Sequence, residues 1–553
     1  MTFAKMDTGS NKPIKKVGDV QHDEDPVYED EKACRQAQIR ETTRCEREMP
    51  ISTAFRLYSK AVGWSILLST AVVMEGYDLL LITSFFALDP WKKKYGVLLG
   101  DGTYSVSAAW QSGLYNGAAA GEIIGLFLNG FIAERFGYRK TMLGALALIT
   151  GLIFIQFFAP TVEVLQVGSV LMGIPWGVFQ TLPVSYASEV CPVALRGLLT
   201  TYINICWVMG QLLASGVLRA MLGRDDQWAY RIPYALQWMW PVPLIIGITF
   251  APDSPWWYVR RGDKEAAKSA LRSLTCRNVD DAVDIDATVE VMAYTNELEQ
   301  EASQGATYVD CFRGYNLRRT EIACLTWGIQ NICGTALMNN STYFFQQAGM
   351  DTANAFNLTM AQYGIGFIGV FLAWTLMIRV GRRQLYLWGL FTLLLLLLGI
   401  GISGVGGPGN SSAYWASGAL LLVLSLCYQV TVGTVCYSIV SEVSSVRLRA
   451  KSISLARNLY NVCSIVSGIM APYMINPTAW NWKAKAGFFW AGSCLLCFVW
   501  TFFRLPETKG RTFAELDILF ERGVNARKFA NTSVDLFSHA IHEEEKEGEV
   551  HRS

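Results

Sequence analysis

Long apolar runs dominate this chain and limit what it can fold into. Phe391 to Ser403 and Ala416 to Val440 contain no charged residue, and about 20 apolar residues are enough for a helix to cross a bilayer. Of the 553 residues, 52% are hydrophobic and 17% are charged, whereas a soluble globular domain carries about 25% charged residues. The chain is therefore predicted to be a membrane protein with many spans, and a large soluble enzyme is not expected.

The net charge and the positions of the histidines and cysteines exclude further classes of function. The formal net charge is only +1, so no basic surface for nucleic acid is expected. All four histidines lie in the polar tails, and most cysteines lie inside apolar runs, where they act as small hydrophobic residues. No nucleotide-binding loop, metal-ligand cluster or Ser/His/Asp set is recognisable. We expect no cofactor, no metal and no enzymatic activity.

Hydropathy predicts an all-α protein with twelve transmembrane helices in two groups of six. The helices are expected to begin near Ala61, Trp110, Met142, Val164, Thr201, Pro233, Ile322, Gln362, Leu385, Tyr414, Ser452 and Gly487. The predicted organisation is a disordered cytoplasmic tail (1–55), an N-terminal six-helix half (56–252), a cytoplasmic linker with short helices (253–320), a C-terminal six-helix half (321–505) and a cytoplasmic tail (506–553).

Basic residues set the predicted orientation. Lys92 to Lys94 fall in a loop that alternation places outside, but the residues around the linker, such as Arg260 and Arg319, favour the cytoplasm for that segment. The glycosylation sequons at Asn357 and Asn410 fall in loops on the other side. We therefore predict that both tails are cytoplasmic.

The two groups of helices repeat one another. The segment Ser188 to Arg196 matches Ser441 to Arg449 without a gap and keeps Ser, Glu, Val, Val, Leu and Arg in the same places. Similarly, Arg135 to Arg139 matches Arg379 to Arg383. A parallel duplication of six helices is predicted, and transporters built from such repeats hold their substrate between them near the middle of the bilayer.

Three motifs in order give a specific resemblance. Gly130 to Lys140 resembles the loop motif after the second helix of the sugar-porter branch of the major facilitator superfamily, with Glu134 in place of the usual Asp. Pro252 to Trp256 and Pro506 to Gly510 resemble the motifs after its sixth and twelfth helices. The chain is thus similar to a sugar porter over essentially the whole length between its tails.

Within that branch, the chain resembles fungal maltose and general α-glucoside permeases, which are proton symporters. The segments that carry this resemblance are Glu75 to Asp78, Gly173 to Thr181, Tyr186 to Pro192 and Gly210 to Ser215. The resemblance implies proton-coupled import of maltose-like disaccharides by alternating access in the plasma membrane. The implied partners are a sugar, a proton and the lipid bilayer, and we expect the protein to act as a monomer.

Several positions depart from the family pattern. Sugar porters commonly carry an Arg in the fourth helix, as the partner of a proton-binding carboxylate, where this chain has Ser169. The double Gln of the seventh helix is Gln330-Asn331, and the Asn that follows in the family is Ala336. Either another cation serves in coupling, or coupling is absent.

Four ionisable residues lie inside the predicted spans, where a central charge costs at least about 2.5 to 3.5 kcal/mol. Glu75 and Asp78 are three residues apart and are expected to share a face of the first helix. Glu122 lies in the second helix, and Arg457 lies near the start of the eleventh. We predict that these residues couple protons to transport, with Asp78 as the leading carrier and Arg457 as its modulator or the partner of Glu122. The alternative is a structural ion pair.

Polar residues also follow one face of several spans. Sugar hydroxyls need both donors and acceptors, which Gln and Asn amides supply together, while Trp and Tyr rings cover the apolar faces of a pyranose. The predicted sugar-binding residues are Gln180, Gln211, Gln330, Asn331 and Asn461. For each of them, a hydrogen bond between helices is the competing interpretation.

Charged residues of the repeated motifs form a predicted cytoplasmic gate. Ion pairs there are expected to join the two halves when the outside is open and to separate when the inside opens. A solvated surface is the alternative. The predicted gate residues are Glu134, Arg135, Glu189, Arg196, Arg382, Glu442 and Arg449.

Three functional hypotheses remain from the sequence. The first is a proton-driven importer of α-glucosides. The second is an uncoupled sugar transporter with another specificity, for a hexose or a β-linked disaccharide. The third is a sugar sensor that does not transport, but only 47 residues follow Pro506 (553 − 506), and a sensor usually carries a long signalling tail.

Overall fold

The computed structural model describes residues 49–532, apart from positions 101, 277–283, 304–306, 406–410, 445–447, 510 and 512. Residues 1–48 and 533–553, which hold most of the predicted tails, lie outside the described residues. The first helix, α1, begins at Ile51, inside the segment predicted to be disordered. Its Ala54 is fully buried, and this packing explains why the helix starts before residue 56.

The N-terminal half is built from helices that follow one another with short connections. They are α1 (Ile51–Leu57), α2 (Ser59–Ser69), α3 (Ala71–Phe85), α4 (Asp89–Tyr95), α5 (Ala108–Phe136), α6 (Tyr138–Phe158), α7 (Val162–Val190), α8 (Val193–Met221), α9 (Trp228–Leu236) and α10 (Pro241–Thr249). A two-stranded antiparallel hairpin, β1 (Val97–Leu98) and β2 (Tyr104–Ser105), lies between α4 and α5.

The segment between the two halves contains two short helices and one of 19 residues. They are α11 (Pro255–Arg260), α12 (Lys264–Leu274) and α13 (Ile285–Ser303). We call the end of the bundle next to α11 the linker end, and the other end the opposite end.

The C-terminal half repeats the pattern of long helices. Its helices are α14 (Gly314–Ile332), α15 (Thr335–Asn339), α16 (Ser341–Ala348), α17 (Thr352–Arg379), α18 (Arg382–Ser403), α19 (Ser411–Tyr428), α20 (Thr434–Val443), α21 (Arg449–Ile475) and α22 (Ala486–Arg504). A π-helical turn at Gln429–Gly433 joins α19 to α20, and α23 (Phe513–Glu521) follows the last long helix.

Nine helices among the described residues are long and apolar enough to cross a membrane. The three other predicted spans are interrupted or polar. A 3-10 turn at Gln237–Met239 separates α9 from α10, and Gly334, with a left-handed φ of 103°, separates α14 from α15. Helix α21 is continuous over 27 residues but carries polar side chains such as Arg457 and Asn461.

Helices pack closely against one another both within each half and between the halves. In the N-terminal half, α5 packs closely on α7 and α3 packs on α8, while α14 packs on α21 in the C-terminal half. A Cβ on Gly121 of α5 would lie 2.0 Å from the carbonyl oxygen of Val170 on α7, so only glycine permits this approach. Between the halves, α5 packs on α21 and α8 packs on α17. These two contacts lie on either side of the centre of the bundle.

Candidate functional site

A cavity lies between the two halves, where α3, α5, α7 and α8 face α15, α17 and α21. Its empty volume is about 590 Å³, including space open to solvent. The N-terminal half supplies most of its wall. The lining residues are Leu79, Leu80, Thr83, Tyr115, Ala119, Glu122, Gln180, Trp207, Gln211, Asn339, Tyr363, Tyr460 and Ser464.

The lining combines amides with aromatic rings. The amides of Gln180, Gln211 and Asn339 offer donors and acceptors. The rings of Tyr115 and Trp207 present flat apolar surface beside them. A compact ligand rich in hydroxyl groups, with apolar ring faces, matches this wall.

A charged network forms one side of the cavity. The Gln180 amide donates through Nε2 to Glu75 Oε1 at 2.6 Å and to Glu122 Oε2 at 3.2 Å. The same side chain accepts a hydrogen bond on Oε1 from the Arg457 guanidinium. One glutamine thus connects two carboxylates of the N-terminal half to an arginine of the C-terminal half.

The carboxylates of this network are buried, and its guanidinium lies against an aromatic ring. Glu75 and Glu122 are buried, at 1% and 7% exposure, and the Arg457 guanidinium lies 4.4 Å from the centre of the Tyr460 ring. With both carboxylates ionised, the two negative groups and one guanidinium leave one uncompensated negative charge. A single proton would neutralise this network, which makes it a candidate coupling site.

Asp78 lies outside this network. Its carboxylate is fully buried and accepts a hydrogen bond from Gln237 on the turn between α9 and α10, and it does not line the cavity. Residues three apart on a helix point about 60° away from each other. Because α3 is buried almost all round, that angle is enough to give Glu75 and Asp78 different partner helices.

Two of the five predicted sugar-binding residues, Gln180 and Gln211, line the cavity. The Gln330 amide instead donates to the Gly433 carbonyl at 2.8 Å. Asn331 donates to the Tyr460 carbonyl at 2.9 Å, and Asn461 is buried at 1% exposure without lining the cavity. In this conformation Gln330 and Asn331 make the hydrogen bonds between helices that were the competing interpretation.

The described contacts of the predicted gate residues lie within one half or between the N-terminal half and the linker. Glu189 accepts from Arg260 at 2.8 Å and from Tyr138 at 2.8 Å, while Glu442 pairs with Arg382 at 3.3 Å. The pairs therefore do not join the halves in this conformation.

The other gate residues lie around these pairs. The side chains of Glu134 and Arg135 are exposed at the linker end. Those of Arg196 and Arg449 lie outside the described part of the structure, although both residues belong to helices.

The opposite end is where the halves are joined. Five hydrogen bonds between the halves that involve described residues lie at that end. They join Ser84 to Thr342, Gln346 to the Ala87 carbonyl, Ser112 to the Ile469 carbonyl, Arg219 to Asn357, and Asn476 to the Val106 carbonyl. The bundle is thus held closed at the opposite end.

Several residues of the site were not singled out from the sequence. The aromatic lining residues Tyr115, Trp207 and Tyr363 lie in helices that carry many other rings, so composition does not distinguish them. Asn339 belongs to a polar Asn339-Asn340 pair within an apolar region, which is a signal that could have been used.

A cavity between packed membrane helices, lined by hydroxyl-binding groups and a charged network, defines a membrane transporter for a polar solute. The family model described as "Sugar (and other) transporter" matches residues 64–520. The chain belongs to this family, so it is a sugar-transporter relative and not an enzyme.

Curated relatives agree over nearly the whole chain. The general α-glucoside permease of Saccharomyces cerevisiae is 44% identical over 526 residues, which cover 94% of this chain and 85% of the relative. A maltose permease of the same yeast is 43% identical over 506 residues, covering 91% of this chain and 82% of the relative. The predicted resemblance to fungal maltose and α-glucoside permeases is confirmed.

Solved structures show the same fold. The xylose transporter XylE from E. coli, in a partially occluded inward open conformation, aligns with a TM-score of 0.67 at 18% identity, over 82% of this chain and 100% of that chain. The same transporter in an inward open conformation gives a TM-score of 0.65 at 19% identity, over 83% and 99% of the two chains. The helical fold of a major facilitator transporter is thereby established.

Proposed function

We propose that this protein imports α-glucosides of the maltose type together with protons. It would do so by alternating access between two six-helix halves, as a monomer in the plasma membrane with both termini in the cytoplasm. Support for the substrate class comes from the names of its relatives, an α-glucoside permease and a maltose permease, at 44% and 43% identity. Support for twelve spans comes from the interrupted helices at the positions of the sixth and seventh predicted spans.

The observation that carries proton coupling is the network of Glu75, Gln180, Glu122 and Arg457. Its one uncompensated negative charge lies in the membrane interior, where charge is costly. A proton removes that cost. Glu122 and Gln180 also line the cavity, so a sugar bound there would contact the groups whose charge the proton changes.

The network also crosses the interface that moves. Arg457 belongs to the C-terminal half, and its partner Gln180 belongs to the N-terminal half. Rocking of the halves would change the distance between the guanidinium and the carboxylates. The affinity for the proton would then differ between the two conformations, which is the requirement for coupling. With the proposed orientation, the end at which hydrogen bonds join the halves faces the outside of the cell.

The amides that do not line the cavity fit a supporting role in this mechanism. Gln330 fixes α14 to the π-helical turn at Gly433, and Asn331 fixes α14 to α21. We propose that sugar contacts in the C-terminal half come mainly from Asn339 and Tyr460, which line the cavity. Gln330, Asn331 and Asn461 would contact sugar only after rearrangement of the half.

The deciding experiment is uptake of labelled disaccharides by cells without their own sugar permeases, with external pH recorded. Maltose should be accumulated against its gradient, and its addition should make the medium more alkaline. Uptake without alkalinisation would favour the uncoupled transporter. Sugar binding without uptake would favour the sensor.

A further inference from the structure

A second polar site lies in the N-terminal half, away from the cavity. It is formed by Asp78 on α3, Gln156 on α6, and Gln237 on the turn between α9 and α10. Gln237 donates to one carboxylate oxygen of Asp78, and the Gln156 side chain lies beside the same carboxylate. All three side chains are at least 98% buried. This site is called the Asp78 pocket below.

The Asp78 pocket contains too many hydrogen-bond acceptors. Three buried oxygens, Asp78 Oδ2, Gln156 Oε1 and Gln237 Oε1, have no hydrogen-bond partner among the described residues. An unsatisfied buried acceptor costs about 1 to 3 kcal/mol. A donor hydrogen at the carboxyl group would satisfy at least one of these acceptors and therefore stabilise the fold.

The neighbouring groups do not supply that donor. The Tyr77 hydroxyl, on the same helix, donates to the Pro233 carbonyl at 3.0 Å. Glu75, one turn earlier, is bound to Gln180, and the Ser169 hydroxyl donates to the Leu165 carbonyl. The Tyr234 side chain on α9 lies near both Asp78 and Trp91.

No cation supports the carboxylate either. The buried arginines are engaged elsewhere: Arg457 donates to Gln180 and Arg319 donates to the Val443 carbonyl. On α9, the Arg231 guanidinium lies 5.7 Å from the centre of the Phe157 ring. An isolated carboxylate buried without a cation is strongly disfavoured. A proton on the carboxyl itself meets both needs, because it removes the charge and turns an acceptor into a donor.

We propose that Asp78 is protonated in the described conformation, and that Gln156 and Gln237 are positioning residues that hold this acid by hydrogen bonds alone. The proton on Oδ2 is donated to an amide oxygen, while the amide nitrogens donate to the carboxyl. This proposal rests on the proposed function, since it assigns the pocket a place in proton coupling. It adds the two glutamines, which act on transport through Asp78.

The two glutamines should set how tightly the proton is held. Hydrogen bonds to a charged group are worth about 1.5 to 3 kcal/mol, against about 1 kcal/mol for neutral partners. Removing one amide therefore harms the carboxylate form more than the protonated form. The external pH at which uptake is half-maximal should rise by roughly 0.4 to 1.5 units.

The test uses Gln156→Met and Gln237→Met, which keep the length of the side chain but remove the amide. Gln166→Met is the matched control, because Gln166 also has a buried oxygen without a partner but belongs to α7, next to Gly117. Initial rates of maltose uptake are measured over a range of external pH in whole cells. Both test variants should shift the profile toward alkaline pH, and the control should not.

The outcomes separate this proposal from the proposed function. If the unmodified protein takes up maltose without any sugar-driven proton uptake, the proposed function fails first. If it couples normally while both Met variants keep the original pH profile at normal abundance, the roles of Gln156 and Gln237 are overturned. Loss of uptake in sodium-free medium would also overturn the proposal, since a sodium ion would then fill the pocket.

A stability measurement decides the matter if the Met variants do not reach the membrane. In Asp78→Asn, the amide nitrogen can donate to the glutamine oxygens in the way proposed for the protonated acid. The purified variant should therefore unfold at a temperature equal to or above that of the unmodified protein at neutral pH. A lower unfolding temperature would show that Asp78 is held as a carboxylate and would overturn the proposal.

Discussion

The N-terminal and C-terminal halves carry the same repeated sequence motifs and differ in what they place at the centre of the bundle. The N-terminal half contributes Glu75, Asp78 and Glu122, together with nine of the thirteen residues that line the cavity. The C-terminal half contributes Arg457 and uses Gln330 and Asn331 to tie its own helices together. Both halves keep the duplicated sequence motifs at the linker end. In the middle of the bundle they differ, because the N-terminal half carries the three carboxylates and the C-terminal half carries the arginine.

This difference in charge between the halves indicates where proton coupling can arise. The surplus of negative charge lies in one half, and the compensating guanidinium lies in the other. A movement between the halves therefore changes electrostatics directly. If the two halves carried equivalent charges, a movement between them would change the electrostatic energy of the network less.

The largest expected effect comes from neutralising the acidic half. Glu122→Gln and Asp78→Asn should each abolish accumulation of sugar against its gradient, because an amide keeps hydrogen bonds but does not carry a proton. Downhill exchange of labelled maltose should continue. Accumulation and exchange measured in the same cells test this, and a variant that still concentrates maltose would show that its carboxylate is not needed for coupling.

The next largest effect tests the arginine that the C-terminal half contributes to the charged network. Arg457→Ala should uncouple transport, so that exchange continues while accumulation and dependence on membrane potential decline. A moving charge gains about 2.3 kcal/mol per 100 mV, and that energy is lost if the proton no longer travels with the sugar. Arg457→Lys should restore part of the coupling, since it keeps the charge without the planar fork. Full accumulation by a well-expressed Arg457→Ala would remove the cross-half contact from the mechanism.

A matched pair of glutamines sharpens the comparison further. Gln211→Ala, at the cavity wall, should weaken maltose binding by about 1 to 3 kcal/mol, or roughly 5- to 150-fold. Gln330→Ala should leave affinity nearly unchanged and lower the stability of the purified protein by about 0.6 kcal/mol, the average for a hydrogen bond between membrane helices. Equal losses of affinity in the two variants would show that the C-terminal half also binds sugar through this amide.

The smallest effect is expected for the ion pairs at the linker end, which belong to the sequence motifs that both halves share. Glu189→Gln and Glu442→Gln each weaken one partly exposed ion pair at the linker end, and such pairs contribute about 0 to 1 kcal/mol. Both variants should lower the unfolding temperature slightly and by similar amounts. A much larger loss in one of them would show that the repeated motifs have diverged in role.

The sequence by itself determined the class of protein and much of its plan. Apolar runs, the internal repeat and the ordered motifs identify a sugar porter, because length and hydropathy follow directly from the bilayer thickness. The cost of burying charge also singled out Glu75, Glu122 and Arg457, which the structure brings into one network.

Only the tertiary structure decided which neighbours each polar side chain meets. A helix buried on several sides gives each face a different partner, so the spacing of Glu75 and Asp78 could not show that one binds α7 and the other the turn after α9. Likewise, polar periodicity could not separate Gln211, which reaches the cavity, from Gln330, which binds a backbone carbonyl exposed by a π-helical turn. Those outcomes depend on the angles and breaks of packed helices, and residue spacing along one chain does not contain them.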